Sequence, residues 1–150
     1  MNNNKEVLIA CESIKSFDKP VLVGLHFNDS SYLPSKDSIT EVVKGLEKYN
    51  CCGIIAACTS PETVKLILPE FKKTNLPYGF KVNAFKKIPD DFIINSPINP
   101  SEILGSRKNE DFNPNMFKTF VENCINEGAN LLGGCCEITP QHIKSITNII

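Results

Sequence analysis

The chain has 150 residues, of which 41% are hydrophobic and 22% charged, a composition typical of a soluble globular protein with one domain over residues 1–150. Its 16 basic and 17 acidic residues give a formal net charge of −1, which excludes a bulk attraction to nucleic acid or an anionic membrane surface. No apolar run approaches the roughly 20 residues that span a bilayer, and the Asn-rich start lacks the pattern of a secretory signal. We therefore expect a cytoplasmic protein without nucleic-acid or membrane partners.

Helical and strand-like segments alternate along the chain. Apolar residues at helical spacing predict helices in residues 5–17, 38–49, 60–73, 113–128 and 140–150. Short apolar runs predict buried strands in residues 21–27, 51–58, 78–85 and 129–134. The polar region 86–113, rich in Pro and Asn, predicts a long loop.

Several residues mark where the predicted helices begin and end. Ser60 and Thr139 are predicted N-caps, because each precedes a proline at the first helical position, where the missing N–H costs nothing. Pro69 is expected to end or kink the third helix, and Gly128 to stop the fourth. His142 lies in the last helix, where we expect it to face solvent or to cap the helix.

Strands that alternate with helices predict parallel βαβ units in an α/β fold. In such folds, functional groups collect at the carboxyl ends of the strands, in an open sheet or a closed barrel. Cys58 ends the second predicted strand, and Cys135 and Cys136 follow the fourth. The sequence therefore predicts three thiols on one face of the molecule.

The thiols can be interpreted in two ways. Three thiolates can bind zinc, which prefers four tetrahedral ligands and takes a substrate as the fourth ligand at catalytic sites. Gly133 and Gly134 would let the backbone leave strand geometry, so that Cys135 and Cys136 could face one ion. Packing is the alternative, because free cysteine is often a small core residue. His26, after the first strand, is a further candidate ligand or a structural histidine.

Two motifs favour the metal interpretation. The stretch "GANLLGGCCEITPQHI", residues 128–143, resembles the last strand and helix start of the zinc-dependent homocysteine S-methyltransferase family, whose signature is Gly-Gly-Cys-Cys followed by a Thr-Pro step and His-Ile. The stretch "IIAACTSPETV", residues 54–64, resembles an earlier segment of the same family, in which a strand ends in a zinc cysteine. The stretch "YGFKVNAF", residues 78–85, weakly resembles the family's Tyr-Pro-Asn-Ala/Ser-Gly strand, with the match at Asn83.

The resemblance implies a fold, a site and a reaction. The fold is a (β/α)8 TIM barrel, of which this chain resembles the later half, with about four parallel βα units. The implied zinc (Zn²⁺) ligands are Cys58, Cys135 and Cys136, and the implied reaction transfers a methyl group from a donor to the thiol of homocysteine, giving methionine. The sequence departs from the family at Glu137, where Arg or Gly is common.

The resemblance to half a barrel leaves open which chain completes the barrel and whether the protein is active. Its uncovered strand edges are expected to pair with a second copy of the chain or with a complementing chain. A catalytically inactive family member, or a zinc-binding partner protein, is the alternative to an active methyltransferase.

Overall fold

The computed structural model describes residues 1–17, 19–27, 30–86, 99, 102, 104–109 and 111–149. Four strands are present in this part of the chain: β1 (Val21–Leu25), β2 (Cys51–Thr59), β3 (Tyr78–Val82) and β4 (Leu131–Gly134). The α-helices are α1 (Asn4–Ile14), α2 (Ile39–Leu46), α3 (Pro61–Phe71), α4 (Pro114–Asn126) and α5 (Pro140–Ile146). A short 3-10 helix, Lys15–Phe17, follows α1. No helix among these residues is long and apolar enough to cross a membrane.

The four strands form one parallel sheet in the order β1-β2-β3-β4. Crossovers between parallel strands are right-handed in about 98% of cases, so an order that never reverses places the connecting helices on one face of the sheet. This is the arrangement of a (β/α)8 barrel segment rather than of a doubly wound sheet. The predicted α/β class with four parallel βα units is confirmed.

Ser60 and Thr139 are the N-caps of α3 and α5, as predicted. Ser60 Oγ accepts a hydrogen bond from the backbone N–H of Thr63, and Pro61 is the first residue of α3. Of the two alternatives for Pro69, the one that it ends α3 is wrong, because the helix continues to Phe71, and the kink stays a prediction. Phe71 is fully buried, and its packing against the core holds the last turn in place despite the proline.

The core lies between the sheet and the helices. Phe80 of β3 contacts Phe120 of α4 edge to face, with ring centroids 5.0 Å apart. Phe71 of α3 contacts Phe27, just after β1, with centroids 6.0 Å apart. Replacing such a buried phenylalanine with alanine costs about 3–5 kcal/mol. This layer therefore fixes the positions of the strand ends.

The opposite face of the sheet is less covered. Leu22 of β1 is 48% exposed, and Lys81 of β3 is exposed although both of its neighbours in the strand are buried. The backbone of Met1 lies beside β1, since its terminal amine donates to the Gly24 carbonyl and its carbonyl accepts from the His26 N–H. This is the hydrogen-bond pattern of a parallel strand pair at Leu25.

The predicted loop 86–113 lies largely outside the described residues. In its described part, Ser106 forms an antiparallel bridge with Phe85. The Arg107 N–H donates to the Ala84 carbonyl, and Leu104 and Phe112 are buried. Residues 104–109, called the strap below, are therefore fixed beside the carboxyl end of β3.

Candidate metal centre

Cys58 lies at a bulge near the carboxyl end of β2. The pairing of β2 with β3 shifts between Ala57 and Thr59, so that Cys58 is the extra residue on its strand. Its φ is 55°, in the left-handed region that residues with a side chain rarely occupy. Bulges are common beside functional sites because they change the direction of one side chain. Here the bulge re-aims the Cys58 thiol.

Asn83 stabilises this unusual backbone. Its side chain is 1% exposed, and its amide nitrogen donates to the Cys58 carbonyl over 2.8 Å. Its Oδ1 accepts from the Phe85 N–H over 3.1 Å, and its own N–H donates to the Thr59 carbonyl. The sequence analysis noted Asn83 only as a family match. The structure adds that it supports the residue that carries the first thiol.

Cys135 and Cys136 lie in a turn that begins where β4 ends. The N–H of Ile138 donates to the Cys135 carbonyl over 3.1 Å, which closes the turn, and Glu137 has a φ of 65°. A positive φ at the third residue is the geometry of a type II turn. The two cysteines are thereby released from strand geometry, in which adjacent side chains point to opposite faces.

The expected role of the two glycines needs correction. Gly133 and Gly134 both lie within β4, and neither has a positive φ, so the backbone departs from strand geometry after them. Gly134 is needed for another reason, since a Cβ there would overlap the side chain of Ile138, which folds back after the turn. A Cβ at Gly133 would meet only the Phe80 carbonyl oxygen, at 3.7 Å.

The bulge and the turn bring the three sulfurs together. The Sγ of Cys136 lies 3.7 Å from that of Cys58 and 3.8 Å from that of Cys135, and all three sulfurs lie within 4.8 Å of one another. A tetrahedral ion about 2.3 Å from each sulfur would separate the sulfurs by about 3.8 Å. The donor set and its spacing therefore fit zinc with one coordination position left open.

Without a bound cation, burial and proximity favour the protonated form of the Cys58 and Cys136 thiols. Burial, and then the neighbouring thiols of Cys135 and Cys136, raise the pKa of the Cys58 thiol to about 12. Burial and the proximity of Cys135 also raise the pKa of Cys136. A bound divalent ion reverses this preference, because a coordinating thiol is deprotonated outright.

The two histidines take different places. His26 is half-buried, with Nδ1 3.5 Å from the Ala57 carbonyl oxygen, and it lies outside the only cluster of potential metal ligands among the described residues. His142 is 1% exposed, so the alternative that it faces solvent is wrong. Its Nδ1 accepts from the Thr139 N–H and its Nε2 donates to the Phe112 carbonyl. His142 is therefore a structural cap of α5.

The strap carries two cations that the sequence analysis missed. Arg107 makes two hydrogen bonds to the Glu62 carboxylate, of 2.8 and 3.0 Å, and these lower the pKa of Glu62. Lys108 Nζ lies 2.9 Å from Oε2 of Glu137, directly after the cysteine pair. No sequence motif marks these contacts, because they join segments 29 and 45 positions apart. The strap thus contacts both segments that carry the thiols.

Comparison with known proteins adds a family to this geometry. A family model described as homocysteine S-methyltransferase matches residues 1–150. Homocysteine S-methyltransferase 2 of Arabidopsis thaliana is 25% identical over 134 residues, which are 85% of this chain and 35% of that protein. Homocysteine S-methyltransferase 3 of the same plant is 23% identical over 140 residues, which are 91% of this chain and 37% of that protein.

A solved structure has the same fold. The crystal structure of the homocysteine methyltransferase MmuM from Escherichia coli, in an oxidized form, matches with a TM-score of 0.72 at 17% identity. The match covers 100% of this chain and 43% of that one. The chain therefore spans less than half the length of each of these proteins.

Proposed function

The chain belongs to the homocysteine S-methyltransferase family, and on that premise we propose that Cys58, Cys135 and Cys136 bind zinc at a site for methyl transfer to homocysteine. The observation that carries this proposal is the sulfur spacing of 3.7 and 3.8 Å, which matches a tetrahedral ion. Catalytic zinc sites commonly have three protein ligands and one open position. A substrate thiol would take that position.

The three cysteines would bind the ion and orient the homocysteine sulfur, and the bonds that form and break belong to the two substrates. Zinc bound by three thiolates supplies Lewis acidity that favours the thiolate form of a fourth sulfur ligand near neutral pH, and the thiolate is the nucleophilic form. The homocysteine sulfur forms a bond to the methyl carbon of a sulfonium or quaternary ammonium donor. The bond from that carbon to the donor breaks, its electron pair stays with the donor, and the thiol proton passes to solvent. The product is methionine.

Elemental mass spectrometry on protein purified under reducing conditions tests the zinc site. We expect one zinc per chain in the wild type and none in Cys58→Ala. A folded wild type that contains no zinc after supplementation would contradict the proposal.

Turnover is a separate question, because the chain spans 35–37% of the curated relatives. Methionine formation from homocysteine and a methyl donor, followed by chromatography, tests it. Zinc without turnover would support the second candidate, a family member that binds zinc but is inactive by itself.

We also propose that the sheet is completed by further parallel strands. Within the described residues, β1 and β4 are the two edges, and the parallel hydrogen-bond pattern of Met1 beside β1 supports this proposal. A second copy or a complementing chain could supply the strands. Light scattering over a range of concentrations distinguishes them, because only a second copy gives twice the mass of one chain.

A further inference from the structure

Glu137 introduces a negative charge beside the cysteine cluster. It directly follows Cys136, and its left-handed φ of 65° belongs to the turn that carries both cysteines. Its side chain is 11% exposed, so the carboxylate is shielded from water. Shielding from water makes its electrostatic effect on nearby groups larger than that of a surface carboxylate.

The charge balance of zinc binding makes this carboxylate unfavourable. Three cysteines that exchange three protons for one Zn²⁺ end with one more negative charge than before. A homocysteine thiol that loses its proton at the open position adds a second negative charge. An uncompensated carboxylate next to Cys136 would oppose both steps.

Lys108 compensates this charge. Its Nζ lies 2.9 Å from Oε2 of Glu137, and its own side chain is 36% exposed. The lysine is held there by the strap, since the Ala84 N–H donates to the Cys136 carbonyl over 3.0 Å and the Arg107 N–H donates to the Ala84 carbonyl over 2.8 Å. A continuous series of backbone hydrogen bonds thus connects the cysteine turn to the residue before Lys108.

This pair differs from a typical surface ion pair. Lys118 and Glu122 on α4 lie 3.9 Å apart, with side chains 42% and 43% exposed, one helical turn from each other. Such exposed pairs contribute little. Lys108 and Glu137 are closer, more buried and joined across 29 positions of sequence, and one of them is adjacent to a proposed metal ligand.

We propose that Lys108 is a positioning residue of the zinc site, which neutralises Glu137 and holds the turn that carries Cys136. The proposal rests on the zinc site described under the proposed function. Lys108 acts on the metal through Glu137 and does not bind the ion itself. Outer residues of this kind typically change metal affinity 10–100-fold when they are replaced.

A double-mutant cycle tests the proposal, with zinc affinity measured by competition against a chelator of known affinity. We expect Lys108→Gln to weaken zinc binding about tenfold, since it removes the positive charge beside Glu137. Glu137→Gln should bind zinc at least as tightly as the wild type, and the double variant should return to within about threefold of it. Lys108→Arg keeps the charge and should retain most of the affinity.

The matched control is Lys118→Gln, which removes the exposed cation on α4 and should leave zinc affinity unchanged. Unfolding midpoints measured on every variant establish that each is folded. An unchanged affinity in Lys108→Gln would overturn the proposal, and so would a double variant that binds as weakly as Lys108→Gln. A wild type that binds no zinc would overturn the proposed function together with this inference, whereas zinc binding that is equal in all variants would overturn this inference alone.

Discussion

The chain contains two pairs of consecutive cysteines, which lie at opposite ends of the sheet. The two pairs have different surroundings. Cys51 and Cys52 begin β2, where Cys51 packs half-buried against the core and Cys52 is exposed. Cys135 and Cys136 follow β4, where their sulfurs lie 3.8 Å apart. Cys58 completes a cluster of three thiols with the second pair, and it is the only such cluster among the described residues.

The difference shows that sequence adjacency alone does not form a metal site. Cys11 is near the first pair, since burial, and then the proximity of Cys51, raise the pKa of Cys11. Even so, the ligand atoms of these described residues do not form a cluster of three. The second pair gains its third thiol because a bulge in β2 and a turn after β4 meet at one edge of the sheet.

Replacing cysteines in the two pairs is the most direct test of this comparison, and it has the largest expected effect. Cys135→Ala and Cys136→Ala each remove one of three ligands, so we expect zinc affinity to fall on the order of a hundredfold or more. Cys51→Ala and Cys52→Ala should leave it within about twofold, because they lie outside the cluster. Chelator competition measures both. Zinc loss in Cys52→Ala would contradict the assignment of the site to the second pair.

Replacing Asn83 tests whether its support of the bulge at Cys58 affects stability and zinc binding. Asn83→Ala leaves the Cys58 carbonyl and the Phe85 N–H without their buried partner, which should lower the free energy of unfolding by about 1–3 kcal/mol and weaken zinc binding. Urea unfolding and chelator competition measure the two effects.

The matched control for Asn83 is Asn130, which contacts the other end of β3. Asn130 Oδ1 accepts from the Tyr78 N–H over 3.2 Å at the amino end of β3. Asn130→Ala should therefore reduce stability slightly without changing zinc affinity. Equal zinc affinities in the two variants would show that Asn83 supports the fold but not the site.

The two glycines before the second pair test the close packing behind the turn. Gly134→Ala should lower the free energy of unfolding by about 1–3 kcal/mol, because its Cβ would overlap Ile138. Gly133→Ala should change it by less than about 0.5 kcal/mol, since a Cβ there makes only an ordinary van der Waals contact with the Phe80 carbonyl oxygen. Thermal unfolding of the matched variants measures both. A larger loss in Gly133→Ala would contradict this account.

The smallest expected effect is at the ion pair between Glu62 and Arg107 of the strap. The hydrogen bonds from Arg107 lower the pKa of Glu62, so this group stabilises the fold above the ordinary carboxyl pKa of 4.5 and loses that contribution as pH falls below it. Glu62→Gln should reduce stability at pH 7 by less than about 1 kcal/mol, because the Glu62 side chain is 65% exposed.

Urea unfolding of Glu62→Gln and wild type at pH 7 and pH 3 measures this contribution. The difference between the two proteins should shrink at the lower pH. A difference that is the same at both values would mean that the carboxylate charge is not its source.

Much of the fold was predictable because local patterns and burial agree. The apolar runs that became β1 to β4 are short and bounded by turn residues, and Ser60 and Thr139 precede prolines, so each element has a local reason to form. Pro69 does not end α3, because the burial of Phe71, a tertiary contact, outweighs the local preference of proline. His142 can be buried because both of its ring nitrogens have hydrogen-bond partners, the Thr139 N–H before α5 and the Phe112 carbonyl.

The sequence by itself determined the α/β alternation, the family and the identity of the three clustered cysteines, because strand periodicity and the two motifs are local properties of the chain. The tertiary structure decided how the thiols meet. The hydrogen bond by which Asn83 supports the left-handed bulge at Cys58 joins residues 25 positions apart. The ion pair of Lys108 with Glu137 joins residues 29 positions apart. Such contacts depend on how the strands align in space, and no local pattern encodes that alignment.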